Sequence, residues 1–253
     1  MSEFTPSDVT LEGGSTRANF LRKAGLGSAA LVGGGALLGA PGKAFAGHTD
    51  DIPDVDIPDV DILNFALTLE YLEATFYTQA LGGSGTTGVP ASSARFGRNE
   101  IKGGKQFAGF GGSIRKEAYD RLIVIRDHEI THVNFFRGAL KTAAVGPCKF
   151  NFSDALKDVS SFLETAQLLE NTGVMAYDGA IRYVDAGDNL QAGAEIATVE
   201  ARHAAYLNLI NGDSPFPPDA FDDGMLPSAI FAAADGFITS CPDEVKALRE
   251  RLP

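Results

Sequence analysis

Apolar positions recur at helical spacing in four long stretches of the chain, and alternate as in a strand almost nowhere. Residues 62–81 contain neither Gly nor Pro, and Phe65, Leu69, Leu72 and Phe76 follow one another at intervals of three and four. A second helix is predicted over 113–141, with Leu122, Ile125 and Phe136 on one face and Gly146-Pro147 as the breaker beyond it. A third runs over 158–184. Its interior Gly173 and Gly179 each cost about 1 kcal/mol relative to alanine, which predicts close approach by a neighbouring helix. A fourth covers 189–210. Between the first two, residues 82–112 are rich in Gly, Ser and Thr and read as a long connection or partly ordered loop. Residues 148–158 form an irregular crossover in which Ser153 or Asp154 is expected to cap a helix start. After residue 211 Pro and Asp dominate, with short helices near 228–235 and 242–251. The expected architecture is all-α: an antiparallel four-helix bundle over 62–212, a long crossover, and a C-terminal extension over 213–253.

The beginning of the chain follows another logic. A polar leader and Arg17, Arg22 and Lys23 precede an uncharged stretch over 24–42, and Ala44-Phe45-Ala46 reads as a small-x-small cleavage site. Residues 1–46 are therefore expected to be a signal peptide. Arg17-x-x-Phe20-Leu21-Arg22 is similar to a twin-arginine signal, except that Ala18 stands where the second arginine belongs. Seven glycines in the uncharged stretch speak against a membrane span, and no later run reaches the ~20 apolar residues that a span needs. Residues 47–61 contain the repeat Asp51-Ile52-Pro53-Asp54-Val55, Asp56-Ile57-Pro58-Asp59-Val60 and are expected to form an extended acidic lead-in. The expected location is the periplasm, the cell envelope or the outside of the cell.

Charge narrows the partners. The 253 residues carry 21 Lys and Arg against 33 Asp and Glu, a net charge of −12. That balance disfavours nucleic acid and suits a protein that handles cations. Two cysteines cannot build a disulfide scaffold or a four-thiolate metal site. Cys148 and Cys241 lie off every inner stripe, and in an exported chain they are expected to form one disulfide, two separate buried thiols being the alternative.

The chemistry lies within the helices. The first carries Ala66, Glu70, Glu73 and Tyr77 on its apolar stripe, and the third carries Leu163, Gln167, Glu170, Val174 and Tyr177. The second carries Glu129 and His132 three residues apart, and the fourth Glu200 and His203. Each helix thus projects a carboxylate from an apolar face, where it needs a partner. Two imidazoles cannot neutralise four carboxylates, whereas two divalent cations can. One Glu from each of two helices, with Glu-x-x-His from each of the other two, is the ligand set of a dinuclear centre in a bundle core. Glu73 competes with Glu70 for the first-helix position. Glu70 is preferred because Glu70–Tyr77 and Glu170–Tyr177 share a seven-residue offset. Glu73 is then a hydrogen-bond acceptor beside the centre or a charge on its rim.

On these motifs, and on the segments 63–74 (LNFALTLEYLEA) and 168–174 (LLENTGV), the chain resembles the ferritin-like superfamily. Within it, the chain is similar to the exported group that includes desiccation-related proteins, over about residues 61–212. The resemblance implies a pair of iron ions, or of manganese ions, reacting with oxygen or peroxide in stress protection. It implies that Glu129 and Glu200 bridge the metals, that Glu70 and His132 complete one position, and that Glu170 and His203 complete the other. It does not imply iron storage, because the residues after the fourth helix do not resemble a shell-forming fifth helix.

Other residues receive plainer expectations. Tyr77 and Tyr177 are core aromatics, with a redox or hydrogen-bonding role as the alternative. Glu164 is solvated, His128 is a rim residue beside Glu129, and His48 needs no role. Two rival functions stand beside the dinuclear centre. One is a non-catalytic envelope protein that uses metal for stability alone. The other reads His128-Glu129-Ile130-Thr131-His132 as the His-Glu-x-x-His of a zinc protease. That motif leaves Glu70, Glu170, Glu200 and His203 without a purpose.

Overall fold

A computed structural model describes residues 55–185 and 187–253. The expected signal peptide, His48 and residues 51–54 of the acidic repeat lie outside the described residues.

Helix α1 spans Asp59–Leu81 and begins earlier than its apolar pattern. Pro58 is compatible with a helix entry, and Asp59 and Asp61 fall in the first turn, where the helix dipole favours acids. Asp59 also accepts hydrogen bonds from the Asp185 backbone and the Asn189 side chain at 2.9 and 2.8 Å. The end of the expected lead-in is therefore helical. The segment expected to be a loop contains α2 (Arg98–Gly103) and buries Phe96, Ile101 and Phe107 against the core. The single helix expected over 113–141 is two, α3 (Gly112–Lys116) and α4 (Ala118–Leu140), because the backbone leaves helical geometry at Glu117 (φ −101°, ψ 6°). Helix α5 spans Val159–Ala180 and runs into a 3₁₀ turn at Ile181–Tyr183. Its cap is Asp158, whose carboxylate accepts from the Ser161 N–H at 2.8 Å, and not Ser153 or Asp154. Ser153 is turned back on Asn151. Helix α6 spans Asp188–Asn211 and ends at Gly212, whose φ of 89° suits glycine. The extension adds α7 (Pro227–Ala234) and α8 (Asp243–Arg251).

Contacts between helices give their directions. Asn64 reaches the Ala143 carbonyl, Tyr71 receives a hydrogen bond from Arg137, and Gly82 receives one from Arg126, so α4 runs antiparallel to α1. Asn211 reaches the Leu163 carbonyl and Asn171 reaches Asn208, so α6 runs antiparallel to α5. Tyr77 bonds Glu170 while Tyr177 bonds Glu70, so α5 is antiparallel to α1 as well. Helices α4 and α5 must then be parallel. The crossover between them travels the length of the bundle, from Val145 beside Asn64 to Phe152 against Phe76.

Helix α1 is buried on nearly every side. Phe65, Leu72 and Phe76 enter one apolar cluster, and Leu67, Tyr71 and Ala74 enter a second. The extension supplies part of this cover: Phe231 of α7 meets Phe65 edge-on at 5.3 Å, and Arg251 of α8 forms a two-pronged pair with Asp61. A two-stranded antiparallel sheet joins β1 (Lys149–Phe150) to β2 (Ile238–Ser240). Just beyond it Cys148 and Cys241 form the expected disulfide, and no free cysteine remains among the described residues. The bond fastens the extension to the crossover.

The two glycines of α5 have different neighbours. A Cβ on Gly179 would lie 1.9 Å from the Met225 carbonyl oxygen, so the close approach there comes from the extension and not from another bundle helix. A Cβ on Gly173 would meet Glu200 and Glu73 carboxylate oxygens at 3.3 and 3.4 Å. Among the described residues no helix is long and apolar enough to cross a membrane.

Candidate metal centre

The four long helices bring Glu70, Glu129, His132, Glu170, Glu200 and His203 to one place, and all six are buried. Each comes from the middle of a helix whose ends are secured elsewhere, so the backbone holds its Cβ in place. The six form two groups with ligand atoms within 4.8 Å of one another: Glu70, Glu129, His132 and Glu200, then Glu129, Glu170, Glu200 and His203. Glu129 and Glu200 belong to both. Glu73 belongs to neither, although it is buried one turn from Glu70, beside Gly173.

Both imidazoles aim Nδ1 inward. His132 Nδ1 lies 3.2 Å from Glu70, 3.1 Å from Glu129 and 3.2 Å from Glu200. His203 Nδ1 lies 3.0 Å from Glu129 and 3.1 Å from Glu170. One nitrogen can offer at most one proton, so most of these oxygens are left without a donor. Glu70 Oε2, Glu129 Oε1 and both Glu200 oxygens are buried with no hydrogen-bond partner. The short distances from Glu70 Oε2 and Glu129 Oε1 to the imidazoles are contacts of charge, without the alignment of hydrogen bonds. Orphaned carboxylate oxygens converging with two imidazole nitrogens fit hard or borderline divalent cations.

The tyrosines cross-brace this cluster. Tyr77 of α1 donates to Glu170 Oε1 of α5 at 2.6 Å, and Tyr177 of α5 donates to Glu70 Oε1 of α1 at 2.5 Å. Burial, then the carboxylate each one meets, pushes both phenols well above their usual pKa, so they remain donors. Of the two roles left open in the sequence, the structure shows hydrogen bonding.

Crowded acids titrate abnormally. Burial lifts Glu70 to about 7 against the opposing pull of His132, and burial together with neighbouring carboxylates pushes Glu73 and Glu200 up. Burial pushes Glu129 up too, but the hydrogen bond from His132 and the close charge of His203 outweigh it and hold it at about 2. Burial pulls His203 down, yet the Glu170 charge, the hydrogen bond to Glu170 and the close Glu129 carboxylate raise it to about 11. His132 is likewise held up by Glu70 and its other carboxylate partners.

His128 is exposed, as its rim position requires, but it takes part in the site. Its Nδ1 lies 2.9 Å from His203 Nε2, and the two rings stack at 5.2 Å. Sequence reasoning missed this contact, since nothing in the spacing of α4 tells how near its edge comes to α6. His128 Nδ1 is engaged with His203, and neither of the two groups that could hold a metal contains His128. The protease geometry, with both histidines converging on one ion, is not formed. Glu164 is exposed, where it receives a hydrogen bond from Ser160.

A search of curated proteins finds no match. A family model does match: the ferritin-like domain, over residues 58–213, from the first turn of α1 to just past the end of α6. That span covers well over half of the chain and contains the whole carboxylate–imidazole cluster, and the chain belongs to the ferritin-like domain family.

Proposed function

We propose that the protein is an exported ferritin-like oxidoreductase holding two iron or two manganese ions, which consumes oxygen or peroxide as a protection against oxidative stress or desiccation. The observation that carries this reading is the shared membership of Glu129 and Glu200 in both four-residue groups, the arrangement needed for two ions bridged by carboxylates. Glu70 and His132 complete one position, and Glu170 and His203 the other. Charge supports it: two divalent cations balance four ligand carboxylates beside neutral imidazoles, and the fifth buried glutamate, Glu73, is held towards its neutral form. Bound iron or manganese would supply one-electron redox chemistry towards oxygen or peroxide. The chain itself contributes the rest. Tyr77 and Tyr177 keep Glu170 and Glu70 turned into the cluster, and Phe162 packs edge-on against Tyr77 in the buried core. Export is supported by the leader and by the Cys148–Cys241 disulfide, a bond suited to an oxidising compartment.

The test is metal loading of the purified full-length mature chain. Fe(II) or Mn(II) is expected to bind at two ions per chain, and Glu129→Ala or Glu200→Ala to abolish the pair. Unchanged two-ion binding in both variants overturns the reading. Oxygen uptake with Fe(II), or peroxide disproportionation with Mn(II), is expected of the loaded protein. Two bound ions without either turnover would assign the metals a purely stabilising role.

A further inference from the structure

The two halves of the centre differ outside the ligand set. His203 has a protein partner for its outer nitrogen: Nε2 meets His128 Nδ1 at 2.9 Å, with the rings stacked at an interplanar angle of 21°. His132 has none among the described residues, and all its contacts are made through Nδ1. His128 immediately precedes Glu129, so the same turn of α4 places a ligand carboxylate inside the bundle and an acceptor on its rim. For His203 Nδ1 to offer a lone pair inward, the imidazole proton must sit on Nε2, and His128 Nδ1 is placed to accept it. A hydrogen bond from the outer N–H fixes the tautomer and the ring orientation of a ligand histidine and makes it a stronger donor.

Resting on the dinuclear reading above, we infer that His128 is a positioning residue for His203 and makes the two metal positions unequal, the Glu170–His203 position being the tighter and the first filled. The Glu70–His132 position has no such support and fills second. The two positions are otherwise related by the repeated pattern of α1/α4 and α5/α6, so the inequality is a property of His128 and not of the ligand types.

The experiment titrates the full mature chain with Co(II) under anaerobic conditions. Two variants are compared with the wild type: His128→Phe, which keeps a stacking ring without an acceptor, and His128→Asn, which restores an acceptor oxygen near the same place. The wild type is expected to bind two ions in separable steps. In His128→Phe the first step weakens by about 10- to 100-fold while the second is unchanged, so the steps merge or exchange order. His128→Asn recovers most of the first step. Nitrogen NMR of metal-free protein labelled in its histidines gives an independent readout: His203 Nε2 keeps its proton in every variant, while its hydrogen bond to residue 128 is lost in His128→Phe and retained in His128→Asn. Wild-type protein that binds no pair of ions overturns the dinuclear reading together with this one. Wild-type protein that binds two ions, with His128→Phe unchanged, or with both steps weakened equally, or with no difference between Phe and Asn, overturns the role of His128 alone.

Discussion

Tyr77 and Glu170, on neighbouring antiparallel helices, are joined by a 2.6 Å hydrogen bond, and the reciprocal pair Tyr177 and Glu70 is joined at 2.5 Å. The seven-residue interval within each helix is about two helical turns, so antiparallel packing brings each phenol opposite the other helix's carboxylate. Removing either hydroxyl leaves a buried carboxylate oxygen without its donor. Tyr77→Phe and Tyr177→Phe are each expected to destabilise the metal-free protein by about 1–3 kcal/mol in urea denaturation. Losses confined to one variant would show that the pairs are not equivalent braces.

The metal-free centre should make the protein less stable as pH rises. Glu70 goes from an ordinary 4.5 to about 7 on folding, and Glu73 and Glu200 move in the same direction. An acid raised on folding contributes stability that is complete below its unfolded pKa and lost as pH climbs through the folded value. His203, held at about 11 in the fold, adds a loss of the same sign above 6.5. Glu129, held at about 2, acts oppositely, but its window lies below 4.5. The Tm of chelator-treated protein is expected to fall between pH 5 and pH 7.5, about the range set by Glu70. Saturating Mn(II) should flatten or reverse the slope, because ligation requires the ionised carboxylates. A Tm of the metal-free protein that rises across this range would contradict the assigned burial.

The disulfide closes an interval of 93 positions and is the covalent tie between crossover and extension. A loop of that length is worth roughly 4–5 kcal/mol in the chain-entropy model. The double substitution Cys148→Ser, Cys241→Ser is expected to lower unfolding stability by about that amount, as read in urea. It should also expose α7 and α8 to limited proteolysis before the four long helices.

Two glycines inside long helices separate close packing from idle space. At Gly179 the Met225 backbone occupies the place of a Cβ, so Gly179→Ala must push the extension outward and destabilise by several kcal/mol. At Gly193 of α6 the nearest atoms are the tip of Ile181, 3.8 Å away. Gly193→Ala should raise stability by roughly 0.5–1 kcal/mol through helix propensity. Thermal denaturation of the pair, with opposite signs of ΔTm, checks both.

Much of this protein was legible in its sequence by itself. The helical interval of apolar residues located the four bundle helices to within a few residues, except where the backbone departs from the helix at Glu117. That interval also placed Glu70, Glu129, His132, Glu170, Glu200 and His203 on inward faces, because within one helix spacing determines direction. The pairing of Cys148 with Cys241 was the expectation for two cysteines off the stripes in a chain read as exported, and the fold decides it against two separate thiols. What lay between helices was decided only in three dimensions. Glu70 and Glu73 share a stripe, and the rotation of α1 against its neighbours determines that Glu70 joins the cluster. The hidden helices of 82–112, the capping by Asp158, the extension's approach to Gly179 and the contact of His128 with His203 share one cause. Each depends on distances between segments far apart in the chain, which no local periodicity encodes and which packing of the whole core sets.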